Sequence, residues 1–192
     1  MGRIVLQMMI SVDGMVSGPH GELDWIADDE PLSRAHKEIL EQADVAVLGA
    51  GSYPEMSGYW TGAERDEKID ANLRDIGRAM NEIRKVVYSH HDMPVTWRNT
   101  EVHVVADDDA LVKDVQRLKE ETKGTIMVYG GVRLARTFMQ QSLPDAVHLS
   151  ICPIVLGAGQ PLFVDLTHRT NLRLRKTVAY ASGATEMRYE VV

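Results

Sequence analysis

"IMVYGGVRLARTF", residues 126–138, is the stretch whose reading decides the fold. An apolar run stops at Gly130 and Gly131, and a pattern of helical spacing begins at once. A buried strand that passes through two glycines into a helix is the unit of an α/β fold. In open α/β sheets, ligands bind beyond the carboxyl ends of the strands. A glycine pair there removes two side chains and lets backbone N–H groups approach an anion. The following helix aims its unpaired N–H groups and positive dipole end at the same place. The pair fits a pyrophosphate cradle, and equally a strand-to-helix turn that needs a positive φ.

Two more strand ends share this character. "VAVLGAGSYPEM" places Gly49, Gly51 and Ser52 where a strand passes into a short helix, and "KVVYSHH" ends in the donors Ser89 and His90. Together the three would form one rim suited to phosphates. The sequence has no Walker lysine motif and no G-x-G-x-x-G, so a dinucleotide would be held in some other way.

Working outward, Arg3 to Val12 reads as a strand ending in the turn-former Asp13-Gly14. "PLSRAHKEILEQA", "RDEKIDANLRDIGRAMNEI", "DDDALVKDVQRLKEET" and "VRLARTFMQQS" read as helices, with Asp107 to Asp109 an N-terminal cap rather than a metal site. "DVAVLGAG", "RKVVYS", "TEVHVVA", "GTIMVY" and "DAVHLSICPIVL" read as strands. Pro153 predicts a bulge or a sheet edge. The tail reads as two antiparallel strands turning at Ser182-Gly183. The segment 58–65 is polar and glycine-containing but too short to separate domains, and no linker or repeat divides residues 1–192, so one domain is expected. The fold class is α/β, with a mostly parallel central sheet, flanking helices and a C-terminal antiparallel hairpin.

Composition excludes several functions. A net charge of -7 argues against a nucleic-acid surface, which needs a basic face. No apolar stretch approaches the ~20 residues of a membrane span. The N-terminus lacks the regions of a signal peptide, which makes the cytoplasm the simplest location. The single Cys152 rules out an internal disulfide framework and reads as a small buried residue. It also excludes a zinc deaminase, which needs a paired Cys-x-x-Cys, and the seven histidines are too scattered to chelate a metal.

"ISVDGMVSGPHGELDW", "VLGAGSYPEMSGYW", "KVVYS", "VYGGVRLARTF" and "LSICPIVLGAGQPLF" occur in one order. Together they resemble the dihydrofolate-reductase-like family. That family comprises the reductase C-terminal domain of the bifunctional riboflavin-biosynthesis deaminase–reductase and its stand-alone relatives. The resemblance implies a dihydrofolate reductase fold with NADPH lying across the strand ends. Gly130 and Gly131 would face the pyrophosphate through a strained glycine–glycine peptide, with Val132, Arg133 and Leu134 continuing the contact. Gly49 to Ser52 would cradle a phosphate, and Ser89 and His90 would sit near the 2′-phosphate. The Asp13 loop would close over the nicotinamide. The implied activity is reduction of a heterocycle, with 5-amino-6-(5-phosphoribosylamino)uracil the family's named substrate, and a homodimer is the implied assembly.

One position departs from the family pattern. A basic residue and then Thr commonly follow the first glycine of the second block; here they are Ala50 and Ser52. Alanine cannot pair with a 2′-phosphate, so His90, Arg84 or Arg133 would have to compensate. Otherwise the site would prefer NADH, bind a flavin nucleotide, or be a binding module without turnover. Asp13 is the candidate catalytic residue, able to fix a substrate N–H or relay a proton, and reads equally as a turn aspartate. Trp25, Tyr59 and Trp60 would wall a pocket for a flat ring, and read equally as aromatics that anchor loops in the core.

Overall fold

The structure is a computed structural model that describes residues 1–26 and 29–192. The chain runs β1 (Arg3–Ser11), β2 (Met15–Ser17), α1 (Glu30–Glu41), β3 (Ala43–Gly49), α2 (Tyr53–Ala63), α3 (Ala71–Glu82), β4 (Arg84–Ser89) and β5 (Thr100–Val104). It continues through α4 (Asp108–Glu121), β6 (Thr125–Gly130), α5 (Val132–Gln140), β7 (Ala146–Cys152), β8 (Gln160–Pro161), β9 (Leu172–Ala179) and β10 (Thr185–Val191). Eight strands form one sheet in the order β5-β4-β3-β6-β1-β7-β10-β9. The first six are parallel, and β10 and β9 join antiparallel as the expected C-terminal hairpin.

The inner strands are buried on both faces, which is why they read as continuous apolar runs. Leu6, Val47, Val86, Ile126 and Val128 face one core beneath α4 and α5, where Phe138 is fully buried. That one ring contributes roughly 2–3 kcal/mol. Leu48, Val87 and Met127 face a second core beneath α1, α2 and α3. Gly77 lets α3 close on α2, since a methyl there would stand 2.9 Å from Ala63 Cβ and from Glu64 N.

Several expectations are corrected. The helix anticipated from Arg65 begins at Ala71, because Asp70 caps it by accepting from Asn72 N at 2.7 Å. Most of the segment 58–65 forms the second half of α2. The strand expected to continue through Pro153 stops at Cys152, and β7 lies between β1 and β10 rather than at an edge. Pro153 lacks the N–H to continue the ladder, and Ile154 N turns back onto Cys152 O at 2.8 Å. The small β2–β8 sheet is new. Lys85, fully buried on β4, was also unforeseen. Its ammonium donates to Met80 O at 2.6 Å and Ile83 O at 2.8 Å, closing the C-terminus of α3, and lies 4.6 Å from the Trp97 ring centre.

Candidate functional site

All six parallel strands point their carboxyl ends at one rim, and the rim is built around Gly131. Gly131 has φ 97° and ψ 102°, a conformation only glycine adopts without strain. The Gly130–Gly131 peptide is trans, and the positive φ of Gly131 is one that glycine tolerates. A Cβ on Gly130 would stand 3.1 Å from Leu48 Cδ2 and Ser52 Oγ, and one on Gly131 3.3 Å from Gly49 Cα and Ser52 Oγ. Two glycines are therefore needed for two reasons: Gly131 for its backbone angle, Gly130 for the close approach of β3.

The structure brings Gly49, Ser52, Gly130 and Gly131 into one cradle. Ser52 Oγ donates to Gly49 O at 3.0 Å and fixes the turn from β3 into α2. The N-termini of α2 and α5 both open here, at Ser52 and Gly131. Val132 to Leu134 form the first turn of α5, and Leu134 packs against Gly49. Arg133 is exposed, and its Nη2 lies 3.5 Å from the position a Cβ on Gly51 would take. Among the described residues no carboxylate pairs with it.

Ser89 and His90 stand on the same rim, on the far side of β3 from β6. Ser89 Oγ accepts from His91 N at 3.2 Å, and His90 Nδ1 is 2.9 Å from Val105 O. A carbonyl oxygen accepts, so Nδ1 is the donor in that contact. Arg84 cannot serve the rim. It begins β4, about 16 Å from Ser89 along the strand, and pairs with Glu101 at 2.5 Å.

Asp13 follows β1 and clamps two loops. Its carboxylate accepts from Ser11 Oγ at 2.6 Å, Gly157 N at 2.8 Å and Leu156 N at 3.1 Å. These bonds, led by the Ser11 hydroxyl, pull its pKa down to about 2. The same two loops are zipped by β2 and β8, and by Leu162 N donating to Gly14 O at 2.9 Å.

Tyr59 and Trp60 touch each other, but among the described residues no ring contact joins Trp25 to them. Trp60 is buried in the core beneath α2, about 10 Å down the helix from its rim end. Tyr59 is half exposed and stacks edge-on with Trp60 at 4.7 Å. Trp25 lies on the loop before α1 and donates to Glu22 O at 3.0 Å. Tyr53, unremarked in the sequence, anchors instead: its hydroxyl accepts from Thr96 N and Trp97 N, both at 3.0 Å. Also unremarked was Gln7, a polar residue inside the apolar run of β1 and only 4% exposed. Its interruption of "IVLQMMI" was the available signal.

Among the described residues, no helix is long and apolar enough to cross a membrane, and no group of three His, Cys, Asp or Glu is arranged to hold a metal.

The family model described as the RibD C-terminal domain matches residues 3–185. The "Uncharacterized protein YyaP" of Bacillus subtilis strain 168 is 29% identical over 187 residues, covering 97% of this chain and 94% of that one. A diaminohydroxyphosphoribosylaminopyrimidine deaminase/5-amino-6-(5-phosphoribosylamino)uracil reductase from Thermotoga maritima superimposes with a TM-score of 0.70 at 14% identity. That match takes in 100% of this chain and 57% of the Thermotoga chain. A dihydrofolate reductase from Enterococcus faecalis, solved with NADP(H), superimposes with a TM-score of 0.65 at 12% identity, covering 98% and 96% of the two chains.

Proposed function

The chain belongs to the RibD C-terminal domain family and has the dihydrofolate-reductase-like fold, and from that premise we propose that it is an NADPH-dependent reductase of a small heterocyclic substrate. The observation that carries this reading is the convergence at Gly131. Two helix N-termini, three glycines and the exposed guanidinium of Arg133 meet where a dinucleotide's phosphates would lie. A Cβ at Gly130 or Gly131 would press on Leu48, Gly49 and Ser52 and push the ends of β3 and β6 apart. The cradle fits a pyrophosphate, held by backbone N–H groups and the two helix ends.

When bound, the reduced nicotinamide supplies the hydride. The chain's part is to hold, orient and shield. Arg133 provides the positive charge that Ala50 does not, and so favours the 2′-phosphorylated nucleotide. Asp13, ionised at neutral pH, acts as a positioning residue: it ties the loop after β1 to the loop at 156–157 over the reacting end. The substrate proposed is a pyrimidine of the 5-amino-6-(5-phosphoribosylamino)uracil type. That reading is supported by family membership and by the Thermotoga likeness. A cytoplasmic homodimer belongs to the same proposal, supported by the uncovered sheet edge at β9, where Leu172 and Leu174 are exposed.

Ala50 favours a second reading, a nucleotide- or flavin-binding module without turnover. Calorimetric titration with NADPH, NADH and flavin mononucleotide side by side separates the two. Preference for NADPH supports the reductase. Binding of flavin alone, or of nothing, overturns it.

A further inference from the structure

Gln7 sits on β1 and faces the α1–α3 side of the sheet, opposite to Leu6 and Met8. The β1–β6 register, continued by one residue, sets it beside Tyr129 and one residue below the level of Gly130. On its other side its ladder partner is His148 of β7. Gln7 therefore lies next to the glycine cradle, on the side where α1 and α2 pack.

Four buried side-chain nitrogen or oxygen atoms lack a hydrogen-bond partner among the described residues, and three of them belong to this neighbouring pair: Gln7 Nε2, Gln7 Oε1 and His148 Nδ1. The same face satisfies its other polar groups. One row nearer the rim, His36 Nε2 meets Ser150 Oγ at 2.7 Å, and buried Glu186 takes Tyr180 Oη at 2.9 Å together with Arg188. An unpartnered buried amide is destabilising, so its presence beside a site calls for a partner that is not part of the chain.

We infer that Gln7 is a specificity-determining residue, recognising the lactam edge of the substrate's ring through a paired donor and acceptor. This rests on the reductase reading of the site. A primary amide offers one C=O and one N–H side by side in a plane. Its complement is an adjacent ring N–H and C=O, as in a uracil or a pterin. An anionic group would gain only the donor half. His148 next to it is neutral at pH 7, and the nearest charges beyond it, Arg188 and Glu186 on β10, pair with each other. Because the amide is sealed from solvent in the free protein, ring entry requires its cover to part.

The test uses the whole protein and two probes, 5,6-diaminouracil and 5,6-diamino-1,3-dimethyluracil, which has no ring N–H. Affinities are measured with and without NADPH for the wild type and for Gln7→Met, a close match in volume, and the melting temperature of each free protein is recorded. The expected result is a wild-type preference for the unmethylated ring of about tenfold or more. Gln7→Met should lose that preference, bind NADPH normally and melt no lower than wild type. A variant that melts lower and keeps the preference overturns the inference, because the amide is then held within the protein, as by an internal water. Equal binding of both rings to wild type, or binding of neither, also overturns it. Failure of NADPH to bind while the ring preference persists leaves the inference standing and removes the reductase reading.

Discussion

Gly131 and Gly49 meet backbone to backbone: a methyl on Gly131 would stand 3.3 Å from Gly49 Cα and 3.4 Å from Gly49 N. The contact joins the ends of β6 and β3 and sets the width of the cradle. Gly131→Ala combines that contact with a φ of 97° and should cost about 1–2 kcal/mol. Gly49→Ala differs, because its new Cβ meets Leu134 Cβ at an ordinary 3.4 Å. We expect near-wild-type stability in Gly49→Ala, with NADPH affinity lowered about tenfold or more. Denaturant midpoints and titrations of both variants check this. Unaltered NADPH binding in Gly49→Ala would move the nucleotide away from the cradle.

Arg133 and Ala50 make a second pair. Arg133 Nη2 reaches the Gly51 turn, next to the position where the family commonly carries its basic residue. A charge-assisted hydrogen bond is worth ~1.5–3 kcal/mol. Arg133→Gln should therefore weaken NADPH by about tenfold or more while leaving NADH nearly unchanged. Adding Ala50→Arg to that variant should restore much of the loss. Parallel losses for both nucleotides would show that Arg133 does not read the extra phosphate.

Much of this was legible in the sequence because it is local. Gly130, Gly131, Gly49 and Ser52 announce themselves at strand ends, and the alternation of strand and helix orders the sheet. What was not legible depends on distant partners. β2 and β8 are too short for a periodic signal, and they pair between the same two loops that Asp13 joins by accepting from Gly157 N. Trp60 reads as a pocket aromatic until the course of α2 carries it down from the rim. Arg84 is excluded only by which end of β4 it occupies. Gln7 breaks an apolar run visibly, yet its lack of partners emerges only when β7 places His148 beside it.

The clamp at Asp13 predicts a local effect. Its carboxyl titrates near 2 in the folded chain against 3.8 unperturbed, so the clamp's contribution is complete above about pH 3.8 and disappears as pH falls through about 2. Asp13→Asn keeps the shape but loses the ionic acceptor. Amide exchange at Leu156 and Gly157 should quicken in this variant at pH 7, with global stability little affected because the site is exposed. Unaltered exchange at both amides would mean that β2 and β8 alone hold the loops.

His36 predicts the acid limb of stability. Burial beneath α1 pushes its pKa down to about 4, with Arg188 lowering it further and Glu186 opposing. Ser150 Oγ, 2.7 Å from Nε2, is the hydrogen-bond partner of the neutral ring. Glu186 stays ionised: burial works against it, but the bonds from Arg188 and Tyr180 outweigh that and hold it below the usual carboxylate range. In the unfolded chain His36 takes up its proton near 6.5, so the folded state is fully favoured above that pH and loses ground as pH falls towards 4. The loss between pH 7 and pH 5 is about 2 kcal/mol for one such group. His148, half-buried beside Gln7 and also pushed down to about 4, steepens the same limb. Urea midpoints of wild type across this range should therefore fall, and those of His36→Gln should fall less by about that amount. If the two proteins lose stability in parallel, His36 protonates without cost and the contact with Ser150 contributes nothing to the acid limit.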